Sequence, residues 1–171
     1  MKLPGPSIPQ VHLQPGELLV TQEPQWIVTL LGSCVSVTMF HARFRLAAIC
    51  HGQLPEPRRE LLAGPEPARC FRYLSDAIPA MAERFIQLGL RPEEVEVKLF
   101  GGGNVVDLGG SSPENRSIGH ANIVIARRLL KAGHFRIQAQ SVGGNRGCKI
   151  LFNTQTGNVL HKWLMRGATK T

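Results

Sequence analysis

No uninterrupted apolar stretch in this 171-residue chain approaches the roughly 18 residues that a membrane-spanning helix requires, so a spanning helix is excluded and no membrane insertion is expected. The four cysteines, Cys34, Cys50, Cys70 and Cys148, include no Cys-x-x-Cys pair, and metal-ligand spacing is missing with it. Met1 to Leu13 holds one Lys, three Pro and no long apolar core, unlike a secretory leader. The expectation is a cytoplasmic protein with reduced thiols. Acidic residues are few: Asp and Glu total 12 against 20 Lys and Arg, a net charge of +8. That excess favours an acidic partner surface. It is dispersed, with Arg58-Arg59, Arg127-Arg128 and the tail from Lys162 to Lys170 the densest spots. No long basic run interleaves with aromatics, so nucleic acid is not the expected partner. There is no Gly-x-x-x-x-Gly-Lys-Ser/Thr, and no helix opens at Gly101-Gly102-Gly103 as a dinucleotide fingerprint would require. No nucleotide or other cofactor, and no metal, is expected. No internal repeat is present.

Hydrophobic residues at 43% and charged residues at 19% describe an ordinary globular chain, long enough to bury one core. Residues 1–16, rich in Pro and Gly, read as an irregular lead-in, 17–164 as a single domain and 165–171 as a basic tail. Apolar runs at Glu17–Thr21, Trp26–Leu31, Cys34–Phe40 and Arg45–His51 predict four strands in quick succession, which implies hairpins. The Pro-rich stretch from Gln53 to Ala68 reads as a loop or lid. Phe71, Leu74, Ile78, Met81, Phe85 and Leu88 recur at helical spacing, with a kink expected at Pro79 and a stop at Gly89. Val95, Val97 and Leu99 alternate with charged residues as a half-buried strand does. A second helix is expected from about Ser117, a suitable N-cap, to Gly133. Strands at Phe135–Ser141, Lys149–Asn153 and Asn158–Trp163 complete about eight strands and two helices. The fold class is α+β, an α/β sandwich of mixed β-sheets with flanking helices.

One thiol stands in a setting suited to chemistry. Cys34 ends the turn Gly32-Ser33-Cys34 between two apolar runs, and His51 follows 17 residues later at the end of a third. A thiol needs help to ionise near neutral pH, and a nearby imidazole supplies it by taking the proton. Gly32 and Ser33 permit the tight turn that would expose the sulfur and aim backbone N–H groups at an oxyanion. Thr29, just upstream, is placed to orient the imidazole. Each residue alone also has a structural explanation, Cys34 as a small buried hydrophobe and His51 as a satisfied core histidine.

Five segments together resemble one family. They are Thr29 to Val35, His51 to Pro55, Lys98 to Asn104, Ile118 to Asn122 and Gly143 to Gly147, the last continuing into Ile150 to Gly157, and they run in family order. The chain resembles the CheD-type chemoreceptor glutamine deamidases. The resemblance implies a cysteine hydrolase without metal or cofactor, with a CheD-like cysteine hydrolase fold. Its substrates would be glutamine side chains of methyl-accepting chemotaxis receptors, converted to glutamate with release of ammonia. By the same resemblance Cys34 is the nucleophile, His51 the base and Thr29 the third member. Two departures stand out: some members carry one more residue between the threonine and the cysteine, and His120 sits where acidic and basic residues are common. The alternatives are a non-catalytic chemotaxis module that binds receptors or a CheC-type phosphatase, and a broader amidase or thiol peptidase.

Overall fold

The computed structural model describes residues 8–57, 71–104 and 113–165, with the backbone alone for 113–117. Nine strands and two helices appear among them: β1 (Gln10–His12), β2 (Leu18–Thr21), β3 (Trp26–Leu31), β4 (Val35–His41), β5 (Leu46–Cys50), α1 (Leu74–Gln87), β6 (Glu96–Gly101), α2 (Pro113–Ala132), β7 (Ile137–Val142), β8 (Cys148–Asn153) and β9 (Val159–Trp163).

The strands form two mixed sheets, one ordered β1-β3-β8-β9 and the other β2-β5-β4-β6-β7. Side chains alternate across each strand, and that alternation sorts the core into layers. Ile27 and Leu31 of β3 and Ile150 and Phe152 of β8 meet Phe40, Ala47, Ile49 and Phe100 between the sheets. The opposite faces of the same central strands, through Val35, Val37, Met39, Ala48, Val97 and Leu99, receive α1 and α2. The order of layers is therefore sheet, sheet, helices, an α+β sandwich whose helices flank one sheet only.

The periodic face expected of the first helix is the buried one, with Leu74, Ile78, Met81 and Phe85 inside and Pro79 within the helix. Leu88 falls past the last turn and is exposed, and Gly89 follows at φ 73. α2 begins a turn before the expected cap, at Pro113, because proline's fixed φ suits a first helical turn; Ser117 lies inside.

The expected succession of hairpins is corrected. Among the first four main strands only β4 and β5 are joined as one, while β3 crosses to the other sheet and pairs with β8, and β2 pairs with β5. The continuous burial of β3, apart from Leu30, suits a strand packed on both faces rather than half of a solvated hairpin. The lead-in also holds a strand where irregular chain was expected: β1 runs parallel to β3, with Val11 opposite Ile27. Of the Pro-rich loop only the start, residues 53–57, is described, and it is tied to the chain just before α1 by the N–H groups of Gln53 and Leu54 donating to Arg72 O at 2.8 and 3.0 Å. Positions 58–70 lie outside the described residues, as do 166–171 of the basic tail.

Phe152 is fully buried between the sheets, and truncating it leaves a cavity that both sheets must tolerate. Phe152→Ala should lower unfolding free energy by about 3–5 kcal/mol in urea denaturation, whereas Leu30→Ala, 57% exposed on the outer face, should stay within about 0.5 kcal/mol.

Candidate active site

Thr29 shares a face of β3 with Ile27 and Leu31, so its side chain points between the sheets rather than outward, and it is buried. His51 continues the inward set of β5 one step beyond Ile49. The two meet: Thr29 Oγ1 lies 2.7 Å from His51 Nδ1 and donates to the Leu13 carbonyl at 2.8 Å. A hydroxyl has one hydrogen. Given to Leu13, it leaves Thr29 Oγ1 as the acceptor, so the network assigns the proton of the neutral ring to Nδ1. Nε2 then carries a bare lone pair, and that buried atom has no hydrogen-bond partner among the described residues.

The main chain of His51 is held as firmly as its ring. Its N–H donates to Glu17 O at 2.9 Å and its carbonyl accepts from Gly16 N–H at 2.8 Å. Burial lowers the imidazole pKa below its ordinary value; the Leu13 carbonyl and the Glu17 carboxylate act in the opposite sense. His51 is therefore neutral at pH 7, as a base must be.

Cys34 reaches the same layer from the other arm. Val35 and Gly52 exchange backbone hydrogen bonds of 2.9 Å in an antiparallel bridge, and Cys34 and His51 each stand one residue before a bridged partner. Alternation turns both side chains away from the helices, and Cys34 packs on the inter-sheet cluster. Diagonal positions of this kind are about 7–8 Å apart at Cα, within reach of side chains. No hydrogen bond joins Cys34 Sγ to Nε2, so the structure bonds Thr29 to His51 and leaves Cys34 on their side without a hydrogen bond to the ring. Burial pushes the Cys34 thiol up, opposed in part by its own backbone N–H. The resting pair is thus neutral thiol and neutral imidazole.

The turn before Cys34 is organised by its carbonyls. Gly32 O accepts from Gly103 N–H at 2.8 Å, Cys34 O from Gly102 N–H at 2.7 Å, and Ser33 O from Asn122 Nδ2 at 3.0 Å. With the three oxygens taken, the N–H groups of Gly32 and Ser33 have no backbone acceptor among the described residues, while that of Cys34 acts on its own sulfur. Backbone N–H groups left free in a turn are the kind of donor an oxyanion can use. Glycine is needed beneath the turn: Gly101 has φ 96, and a side chain there would strike Cys34 O.

Three residues around the site were not singled out for it from sequence. Leu13 contributes a carbonyl, which no residue type advertises. Ser36, at the register position facing His51, has a buried hydroxyl without a partner. Asn122 of α2 is fully buried, which its place in a matching segment could have suggested. Cys50 and Cys148, by contrast, are buried thiols with pKa values raised to about 11 and no imidazole bonded to them. No group of three or more His, Cys, Asp or Glu among the described residues could hold a metal ion.

A family model described as CheD chemotactic sensory transduction matches residues 54–163. A protein of Geobacter sulfurreducens named "Probable chemoreceptor glutamine deamidase CheD 2" is 42% identical over 161 residues, covering 94% of each chain. A relative from Oleidesulfovibrio alaskensis, "Probable chemoreceptor glutamine deamidase CheD", is 43% identical over 166 residues, 96% of this chain and 77% of its own. A third, "Probable chemoreceptor glutamine deamidase CheD 3" of Dechloromonas aromatica, is 37% identical over 155 residues, 91% of this chain and 86% of its own.

The tautomer assignment has a direct readout. Long-range proton–nitrogen NMR at pH 7 should show His51 protonated at Nδ1 and bare at Nε2, and Thr29→Val should abolish that preference; an Nε2–H ring in the unaltered protein would contradict the assigned network.

Proposed function

The chain belongs to the CheD family, and on that footing we propose that it is a chemoreceptor glutamine deamidase in which Cys34, His51 and Thr29 carry the reaction. The observation that most supports these roles is the bare Nε2 of a His51 held by Thr29, in the layer that also receives Cys34.

The reaction begins from the neutral pair. As Cys34 Sγ attacks the carboxamide carbon of a receptor glutamine, its proton passes to His51 Nε2, which requires the two side chains to close on each other around the substrate. The carbonyl oxygen becomes an oxyanion held by the N–H groups of Gly32 and Ser33. Imidazolium at His51 is stabilised through Nδ1–H and Thr29 Oγ1 to the Leu13 carbonyl. It gives its proton to the leaving nitrogen, the carbon–nitrogen bond breaks, ammonia departs and a thioester remains. His51 then takes a proton from water, whose oxygen attacks the thioester. The second tetrahedral intermediate collapses to glutamate, and the proton returns to the thiolate. No metal or organic cofactor enters the scheme.

The net charge of +8 suits an acidic receptor surface, by speeding encounter and aligning the partners. The cytoplasm is the compartment proposed, in keeping with buried thiols at Cys50 and Cys148 that form no disulfide. No helix among the described residues is long and apolar enough to cross a membrane. A CheC-type phosphatase presenting a segment that imitates the receptor would occupy the same cleft, and a purely binding role is the alternative.

Purified protein mixed with receptor cytoplasmic fragments should release ammonia and convert glutamine to glutamate by mass spectrometry. Cys34→Ala should remove the activity, and His51→Ala should lower kcat by about 10²–10⁴. Conversion that persists in Cys34→Ala would refute the assignment, while unchanged receptor signalling in Cys34→Ala cells and lost signalling on deletion would favour the binding role.

The pH dependence has a definite sign. His51 must be neutral to accept the proton, and burial places its pKa below the ordinary 6.5. The kcat/KM profile should therefore be flat through pH 7 and fall only as pH drops below about 6.5.

A further inference from the structure

Asn122 stands outside the proposed trio, yet it is the one side chain bonded to both arms of the site. Its Nδ2 donates to Ser33 O at 3.0 Å and to Gln53 O at 3.0 Å. Ser33 immediately precedes Cys34, and Gln53 follows His51 by two residues. An amide nitrogen has two hydrogens, and both are used here. Because the two partners are carbonyl oxygens that can only accept, the amide has a single orientation.

The helix that carries Asn122 is seated by glycines. A side chain on Gly119 would approach Gly102 O to 2.6 Å, and one on Gly102 would meet Gly119 O at 2.9 Å and Ile123 Cδ1 at 2.6 Å. α2 thus lies directly on the turn after β6, the turn whose N–H groups also hold Gly32 O and Cys34 O. Asn122 is three residues beyond Gly119, on the same face of the helix, and this contact sets how deep it reaches.

Asn122 does not look chosen for stability alone. It is fully buried, and its Oδ1 has no partner among the described residues, an arrangement that costs free energy relative to a satisfied or apolar group. What it provides is spacing. The Val35–Gly52 bridge fixes the two arms at one point, and Asn122 fixes them at a second, one residue from the sulfur on one arm and two from the imidazole on the other.

We propose that Asn122 is a positioning residue for the deamidation, a clasp that sets the approach of Cys34 to His51 by holding Ser33 and Gln53 together. The proposal rests on the Cys–His reading and goes beyond it by assigning the distance between the pair to a side chain of α2. Removing the two donors frees the arms to separate around the single bridge. The base then remains intact, with its Thr29 contact, but the thiol can no longer close on it.

The test uses the full chain and a probe that needs no receptor. Iodoacetamide, itself a small carboxamide, alkylates Cys34, and the rate is followed at that residue by peptide mass spectrometry in four proteins: unaltered, His51→Ala, Asn122→Ala and the double variant. His51→Ala is expected to slow the reaction about tenfold in the unaltered background and less than about twofold in the Asn122→Ala background, the non-additivity of groups that act as one unit. The same roughly tenfold ratio in both backgrounds would overturn the clasp and leave the Cys–His pair standing. A ratio near one in the unaltered background would overturn the pair, and the clasp with it. If Asn122→Ala loses its cooperative thermal transition, Asn122→Ser, which retains one donor, is read by the same ratio. With receptor fragments, Asn122→Ala should lower kcat and leave KM within about twofold. Ile78→Val, a core change beneath α1, should lower the melting temperature and leave both readouts unmoved.

Discussion

The hydrogen bond that Thr29 gives to the Leu13 carbonyl decides more than its length of 2.8 Å suggests. By using the only hydroxyl hydrogen, it compels Thr29 to accept from His51, and that acceptance fixes which ring nitrogen is bare. Every step of the proposed reaction depends on it: a ring with the opposite tautomer would face the thiol with a second donor and could take no proton from it. The contact also joins three pieces of chain that are far apart in function, an N-terminal segment, a strand of one sheet and the end of a strand in the other.

The layer order explains why the chemistry lies where it does. The helices cover the five-stranded sheet on its outer face, so they cannot supply groups to the space between the sheets except at an edge. β4 and β5 end at that edge, and there the inward alternation delivers Cys34 and His51 while α2 comes close enough for one asparagine to pass over the glycine turn. Burial then adjusts both titrating groups toward their neutral forms, raising the thiol and lowering the imidazole.

Much of this was legible in the residues. Apolar runs located β3 and β8 and alternation located β6, each to within a residue or so, and helical spacing picked out Leu74, Ile78, Met81 and Phe85 because those positions answer to packing. Cys34, His51, Gly32 and Ser33 were visible as a turn and an imidazole at a recognisable interval. Sheet partnership was not, since adjacent strands in sequence carry no mark of which sheet they join, and β3 looks the same whether its neighbour is β4 or β8. Leu13 was hidden because a carbonyl acts without regard to its side chain. Asn122 was hidden in function because a polar residue on a helix is ordinarily solvated, and only the depth set by Gly119 makes this one internal.

The pairing of β3 with β8 bears on when the protein becomes competent during synthesis. Thr29 lies on a strand whose inner partner, from Cys148 to Asn153, leaves the ribosome more than a hundred residues later. On the roles proposed for these residues, a nascent chain that has already exposed Cys34 and His51 would hold both reacting groups before β3 has gained β8 as its partner. Tying the orienting threonine to a strand made so much later would delay the final placement of the ring, and with it the arming of the thiol, until β8 has been synthesised.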